Sequence, residues 1–353
     1  MPARRIIYFY PQISTFIAKD IDILKREFNV RHYPFNPSRK FLLPISFIRQ
    51  FFQLLFFGLS ANIIVCRFAA YHSYLPLLFA RIFRKPSLLI IGGTEAHYFP
   101  AIGYGSYVRK LYGKVTSASL RMAGHIAPVD ESLVYADYTY DPGSPRQQGY
   151  KSFNPGISTP YTVIHNGYDG SKFYPRDVSR KQGTFLTVAH TINGSEFYRK
   201  GIDLLLEVSR LFPQCIFTIV SGPDERIDES AYTNVRVTGL LPNSELPVLY
   251  SSSEFYLQLS MAEGFPNALC EAMLCGCIPI GSNVFGIPGI IGKAGYILEA
   301  RDVNLLRTLV EEAMRGDKKA VALAAREQII RNFSLARREK ELTDLVKRLI
   351  EKR

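Results

Sequence analysis

The stretch Ser260–Met273, SMAEGFPNALCEAM, sets two carboxylates, Glu263 and Glu271, eight positions apart around a Gly-Phe-Pro turn. The residues before it, EFYLQLS, have the short apolar run of a buried strand, so the loop MAEGF leads from a strand end to a helix start. Pro266 suits the first helical turn, where its missing N–H is not needed. The amides of Asn267, Ala268 and Leu269 then lack intrahelical acceptors, and with the positive end of the helix dipole they make a phosphate site. Gly264 lets the chain approach a ligand closely. Fully helical, eight residues span ~12 Å, and a loop shortens that gap. Its length suits one acid on a sugar and the other on a ribose, with a diphosphate between them.

Outward from this stretch, short apolar runs alternate with helical patterns, the signature of parallel β-α-β units. RIIYFY, FNVRHYPF, NIIVCRF, PSLLIIGG and GHIAPV read as strands in the first half, with helices at TFIAKDIDILKRE and YLPLLFARIFR. GTFLTVAH, CIFTIVSG, NVRVTGL, FYLQLS, CIPIGSN and AGYILEA repeat the scheme in the second half, with helices at KGIDLLLEVSRLF, SELPVLYSSS and NALCEAMLCG. The Pro-, Gly- and Ser-rich stretch Asp141–Pro160 reads as a loop or linker. The expected architecture is α/β: two Rossmann-like domains with parallel sheets facing across a cleft, residues 1–165 and 166–335. The amphipathic C-terminal helix, 336–353, is expected to join the first domain. Ligands of open parallel sheets bind beyond the carboxyl ends of the strands, which places the site between the halves.

A chain of 353 residues, 47% apolar and 21% charged, fits a globular protein of two ordinary domains. Five cysteines in no framework spacing suggest free thiols, and without a His cluster beside Cys275 and Cys277 no metal site is expected. Asp20-Ile21-Asp22 imitates a metal-binding D-x-D but falls in a helical pattern and reads as a solvated face. Residues 1–165 hold 19 Lys+Arg against 8 Asp+Glu, so nearly all of the net +12 lies there. Anionic lipid, a phosphorylated acceptor and nucleic acid are the partners such a bias admits, and no nucleic-acid module accompanies it. The apolar run at the start is too short for a secretory signal, and no segment has the length of a spanning helix. A cytoplasmic protein, free or peripheral on the inner face of a membrane, is the expectation. Phe41–Leu59 keeps two readings open. Its apolar face packs on the sheet, or, with Arg39 and Lys40 ahead of it, it lies in a lipid headgroup layer.

EGFPNALCEAM followed by CGCIPIGSNVFGIPGII resembles the E-x7-E signature of the retaining glycosyltransferases of family 4 (glycosyl transferases group 1), which have the GT-B fold. VIHNGYD (163–169), RKGIDLLLEVSRLFP (199–213) and VTGLLPNSELPVLY (237–250) follow that family's order, strongly over about residues 160–300 and in outline before. The resemblance implies transfer of a sugar, with retention, from a nucleotide-diphosphate sugar to a glycan or lipid-linked hydroxyl acceptor, in polysaccharide, lipopolysaccharide or glycolipid synthesis. Glu263 would contact the donor sugar, Glu271 the ribose, and Arg199 and Lys200 the diphosphate. Gly264, Phe265, Asn267, Ala268, His190 and Leu240 would complete the donor site. No cofactor and no divalent metal are implied.

This sequence departs from the family in three places. Ala189-His190 stands where Gly-Arg is usual. YPQISTF, with Ser14 and Thr15 as polar contacts, replaces a Gly-Gly loop. IIGGTEAHYF puts Gly92 at the customary His position and Glu95 at the Asp position, leaving Glu95 or His97 to orient or deprotonate the acceptor. These departures keep a second expectation alive: a protein that binds nucleotide sugar without transferring it.

Overall fold

The computed structural model describes residues 4–35, 42–222 and 226–352. In the first half β1 (Arg5–Tyr10), α1 (Thr15–Lys25), β2 (Asn29–Pro34), α2 (Leu43–Gln53), β3 (Ile63–Arg67), α3 (Tyr71–Ile82), β4 (Ser87–Ile91), α4 (Lys110–Met122) and β5 (His125–Pro128) alternate. The strands pair in parallel in the order β2-β1-β3-β4-β5. Every residue of β3 and β4 is buried, as the covered faces of a parallel sheet require. The order reverses between β1 and β3, and the loops beyond them open into the crevice such a reversal creates.

Asp141–Pro160 is not a linker. β6 (Ala136–Asp137) pairs antiparallel with β7 (Gln147–Gln148), and α5 (Tyr150–Phe153) follows. Gln148 clasps the backbone of Tyr98 from both sides, the Gly149 N–H donates to Ala96 O at 2.8 Å, and the Asn154 amide donates to the Tyr107 hydroxyl. Gln148 and Asn154 are buried by these bonds, while Gly143, Arg146, Gly156 and Ser158 stay exposed. The chain leaves the first sheet only after Ile164, whose N–H donates to Pro128 O.

The second half comprises β8 (Thr184–Val188), α6 (Glu196–Arg199), α7 (Ile202–Leu211), β9 (Ile216–Val220), β10 (Val235–Val237), α8 (Leu246–Ser252), β11 (Phe255–Gln258), α9 (Asn267–Leu274), β12 (Ile278–Ser282), α10 (Ile287–Ile291), β13 (Tyr296–Leu298), α11 (Val303–Arg315) and α12 (Lys318–Asn332). Its parallel sheet runs β10-β9-β8-β11-β12-β13, with the reversal between β8 and β11. α13 (Leu335–Glu351) returns to the first domain, where Leu342, Leu345 and Val346 join the core beside Ile17, Ile21 and Leu24 of α1.

One other expectation is corrected, and one of the two open readings of α2 falls. Asp20 is not solvated: it is fully buried, and both Arg67 and Arg338 bond to its carboxylate. Arg338 also donates to the carbonyls of Ile164 and His165, so this cluster ties α1, β3, α13 and the first crossover together. In α2 the apolar face does not pack on the sheet, because Ser46 and Gln50 face inward instead. Phe41, Arg39 and Lys40 lie outside the described residues. No helix among the described residues is long and apolar enough to cross a membrane.

Candidate active site

The carboxyl ends of β1, β3, β8 and β11 converge on a cleft of about 730 Å³. Gln12–Ile17, Arg67, Phe68 and Gly92 form its wall on the first domain. Val188–His190, Lys200, Glu263, Phe265–Ala268 and Glu271 form the opposite wall. Both walls stand at topological switch points, which is why the cleft forms here and not elsewhere along the sheets. Pro266 is the N-cap of α9 and offers no side-chain cap, so the first amides of that helix are presented at the cleft floor.

Glu263 stands beside two cations. Arg199 Nη1 donates to its Oε1 at 3.1 Å, Lys200 Nζ donates to the same oxygen, and Ser260 Oγ approaches at 3.5 Å. Burial alone would raise this carboxyl, but Lys200 and Arg199 outweigh it and hold the pKa at about 2. Glu271 has the opposite environment: burial pushes it up to about 7, and only Lys19 opposes the rise. One acid in the cleft is therefore fixed as an anion, while the other is poised to gain or lose a proton near neutrality. Asn267 Oδ1 accepts from the Tyr168 hydroxyl at 2.6 Å, which ties the helix start to the crossover from the first domain.

Gly264 is where the domains approach most tightly. A Cβ there would lie 1.9 Å from Gly92 O, and one on Gly286 would lie 2.5 Å from Gly264 O. The missing Cβ thus admits contact between the domains, and Gly264 itself is absent from the cleft wall.

The structure gathers Glu263, Lys200, Glu271, Phe265, Asn267, Ala268, His190, Ser14 and Thr15 around one cleft. Besides Gly264, four expected residues are placed otherwise. Arg199 lies behind Glu263, where Glu196 takes its Nε and Nη2 and Ala262 O takes its Nη1, so its charge is already matched. Glu95 accepts from the N–H groups of Gly92 and Gly93 and staples its own loop. It lines a separate pocket of about 310 Å³ on the first domain. His97 is fully buried among Phe99, Tyr104 and Phe285, with neither ring nitrogen bonded, and burial first, then Arg199, depresses it to about 3. Leu240 is 55% exposed, away from the cleft wall.

Arg67 and Gln258 line the cleft without having been singled out. Each ends its strand at a switch point, and asking which residue closes each strand would have found both. Lys19, from α1, is near enough for its charge to lower the pKa of the Glu271 carboxyl, and nothing in its helical pattern marks it.

Residues 191–329 match the family described as Glycosyl transferases group 1. The O-antigen chain mannosyltransferase B of Escherichia coli is 31% identical over 83 residues, 24% of this chain and 22% of that protein. The aligned stretches span half or less of the curated relatives' own length. Two solved structures extend the likeness to the whole chain. Sucrose-phosphate synthase from Thermosynechococcus elongatus superposes with TM-score 0.74 and 15% identity, covering 99% of this chain and 100% of that one. Anabaena HepE, solved with UDP and glucose, gives 0.67 at 13%, covering 98% and 100%. At such identities it is the fold that is shared, two Rossmann-like domains across a cleft in the GT-B arrangement.

Proposed function

With residues 191–329 a glycosyl transferases group 1 region on a GT-B scaffold, we propose that this protein is a retaining, metal-independent glycosyltransferase. It takes a sugar from a nucleotide-diphosphate donor to a hydroxyl of a glycan or lipid-linked acceptor, in the building of surface polysaccharide or glycolipid. The observation that carries this reading is the unlike pair of acids along one cleft. Glu263 is held ionised beside Lys200, Glu271 lies in the second turn of α9, and the open amides of α9 stand between them in the chain.

In this reading the diphosphate rests on the α9 amides and Lys200, which meet the charge that grows on the leaving phosphate oxygen. Glu263 accepts hydroxyls of the donor sugar, and Arg199 fixes its carboxylate from behind as a positioning residue. Glu271 accepts the ribose hydroxyls. The bond from the anomeric carbon to the phosphate oxygen breaks as the acceptor oxygen bonds to that carbon from the same face. The acceptor proton passes to the departing phosphate oxygen. With Glu95 bonded to its own loop and His97 enclosed by aromatic rings, no side chain of the first domain is assigned as base.

The test is turnover of UDP-, GDP- and ADP-sugars with panels of hydroxyl acceptors. Glu263→Gln should lower kcat by on the order of 10²–10³ while leaving nucleotide binding nearly intact. Nucleotide binding without turnover in the wild-type protein would instead favour a non-catalytic nucleotide-sugar-binding protein, the reading that Ala189-His190 keeps in view.

A further inference from the structure

α2 is built inside out. A helix against a sheet ordinarily buries its apolar stripe. Here Gln50 is 1% exposed and donates to His72 O at 2.8 Å, whereas Ile45, Ile48, Phe52 and Leu55 are 46–61% exposed. Their spacing of three, four and three places them on one face. The π-helical turn Leu54–Gly58 carries the face on to Phe56, 70% exposed. Beyond it, Gly58 packs on Phe79, whose ring lies 4.4 Å from that of exposed Phe83. Phe83 is a separate exposed ring at the end of α3, reached from Gly58 through buried Phe79, and the exposed face itself runs from Ile45 to Phe56 with no described element covering it.

Its margins are cationic. Arg5 and Arg31, with Asn29, Ser60 and Phe56, line a pocket of about 400 Å³ at the amino ends of β1 and β2, and no acid among the described residues lines it. Arg31 lies 4.1 Å from the Phe57 ring centroid, which holds its charge at the apolar edge. Beside Phe83, Arg81, Arg84 and Lys85 line another pocket, also without an acid among the described residues. Hydrocarbon facing the phenylalanines and phosphates facing the arginines satisfy both features together.

We propose that α2 and its π-turn seat this protein on an anionic lipid bilayer, with Arg5 and Arg31 as a clamp for a headgroup phosphate. Over residues 43–58 the seat is roughly 24 Å long at 1.5 Å per residue. At its amino end, Leu43 and Phe35 border the 310 Å³ pocket of Glu95, and Phe68 lines both that pocket and the donor cleft. A protein seated this way opens its acceptor side at the membrane surface, so the acceptor is membrane-anchored. That last step rests on the transferase reading; the docking does not.

Flotation with phosphatidylcholine vesicles, with and without phosphatidylglycerol, tests it. The wild-type protein should float with the anionic vesicles and release as salt rises. The Arg5→Ala/Arg31→Ala protein should bind roughly thirtyfold more weakly. The Phe52→Ser/Phe56→Ser protein should lose flotation, with its melting temperature and UDP binding unchanged because both side chains face outward. Equal binding to neutral and anionic vesicles, wild-type binding in both variants, or no flotation at low salt would overturn the proposal. So would a dimer in solution that buries the same phenylalanines without lipid. UDP binding in the same samples reports on the transferase reading separately.

Discussion

At the scale of single residues, burial with a cation and burial almost without one divide two chemically identical acids. Glu263, lowered from 4.5 to about 2, stabilises the fold above pH 4.5, and that contribution is lost as pH falls from there through 2. Glu271, raised from 4.5 to about 7, makes the folded state hold a proton that the unfolded state has released, so stability declines as pH rises from 4.5 through 7. A carboxylate that accepts two ribose hydroxyls must be ionised. UDP binding should therefore expel a proton below neutrality, and affinity should fall up to about tenfold per pH unit there. Calorimetry in buffers of different ionisation heat measures that proton. In Glu271→Gln the release should vanish and binding should weaken. Proton release undiminished in that variant would remove Glu271 from the nucleotide site.

At the scale of elements, the cluster of Asp20, Arg67 and Arg338 decides how α1, β3 and α13 meet. Asp20→Ala would leave two guanidinium groups buried against each other, at a cost of about 3–5 kcal/mol. A melting temperature within a degree or so of wild type would show that the ion pairs add little. Sequence patterning located α1 and α13 but misjudged Asp20, because a helical repeat says which residues share a face and not what that face meets. α2 makes the same point in reverse. Ser46, Arg49, Gln50 and Gln53 recur at helical spacing and form a narrow polar stripe, but the direction in which the stripe points came from Gln50 reaching His72 O.

At the scale of the whole molecule, the two halves meet backbone to backbone at Gly92 and Gly264, and a methyl group has no room there. Gly264→Ala should hold the domains apart, lowering kcat by about tenfold or more with little change in melting temperature. Small-angle scattering of that variant with UDP should report a larger radius of gyration than wild type, and an unchanged radius with full activity would refute the role. The sequence by itself determined the two parallel sheets and the order of their strands along the chain. It also marked the helix start that ends the Glu263 loop, because these follow from local periodicity and turn chemistry. Tertiary structure alone decided that Arg199 stands behind Glu263 and that Glu95 caps its own loop. It likewise enclosed His97 in aromatic rings and turned the apolar face of α2 outward. Those outcomes depend on which charges and surfaces distant segments bring together, and a pattern along one segment carries no information about its neighbour in space.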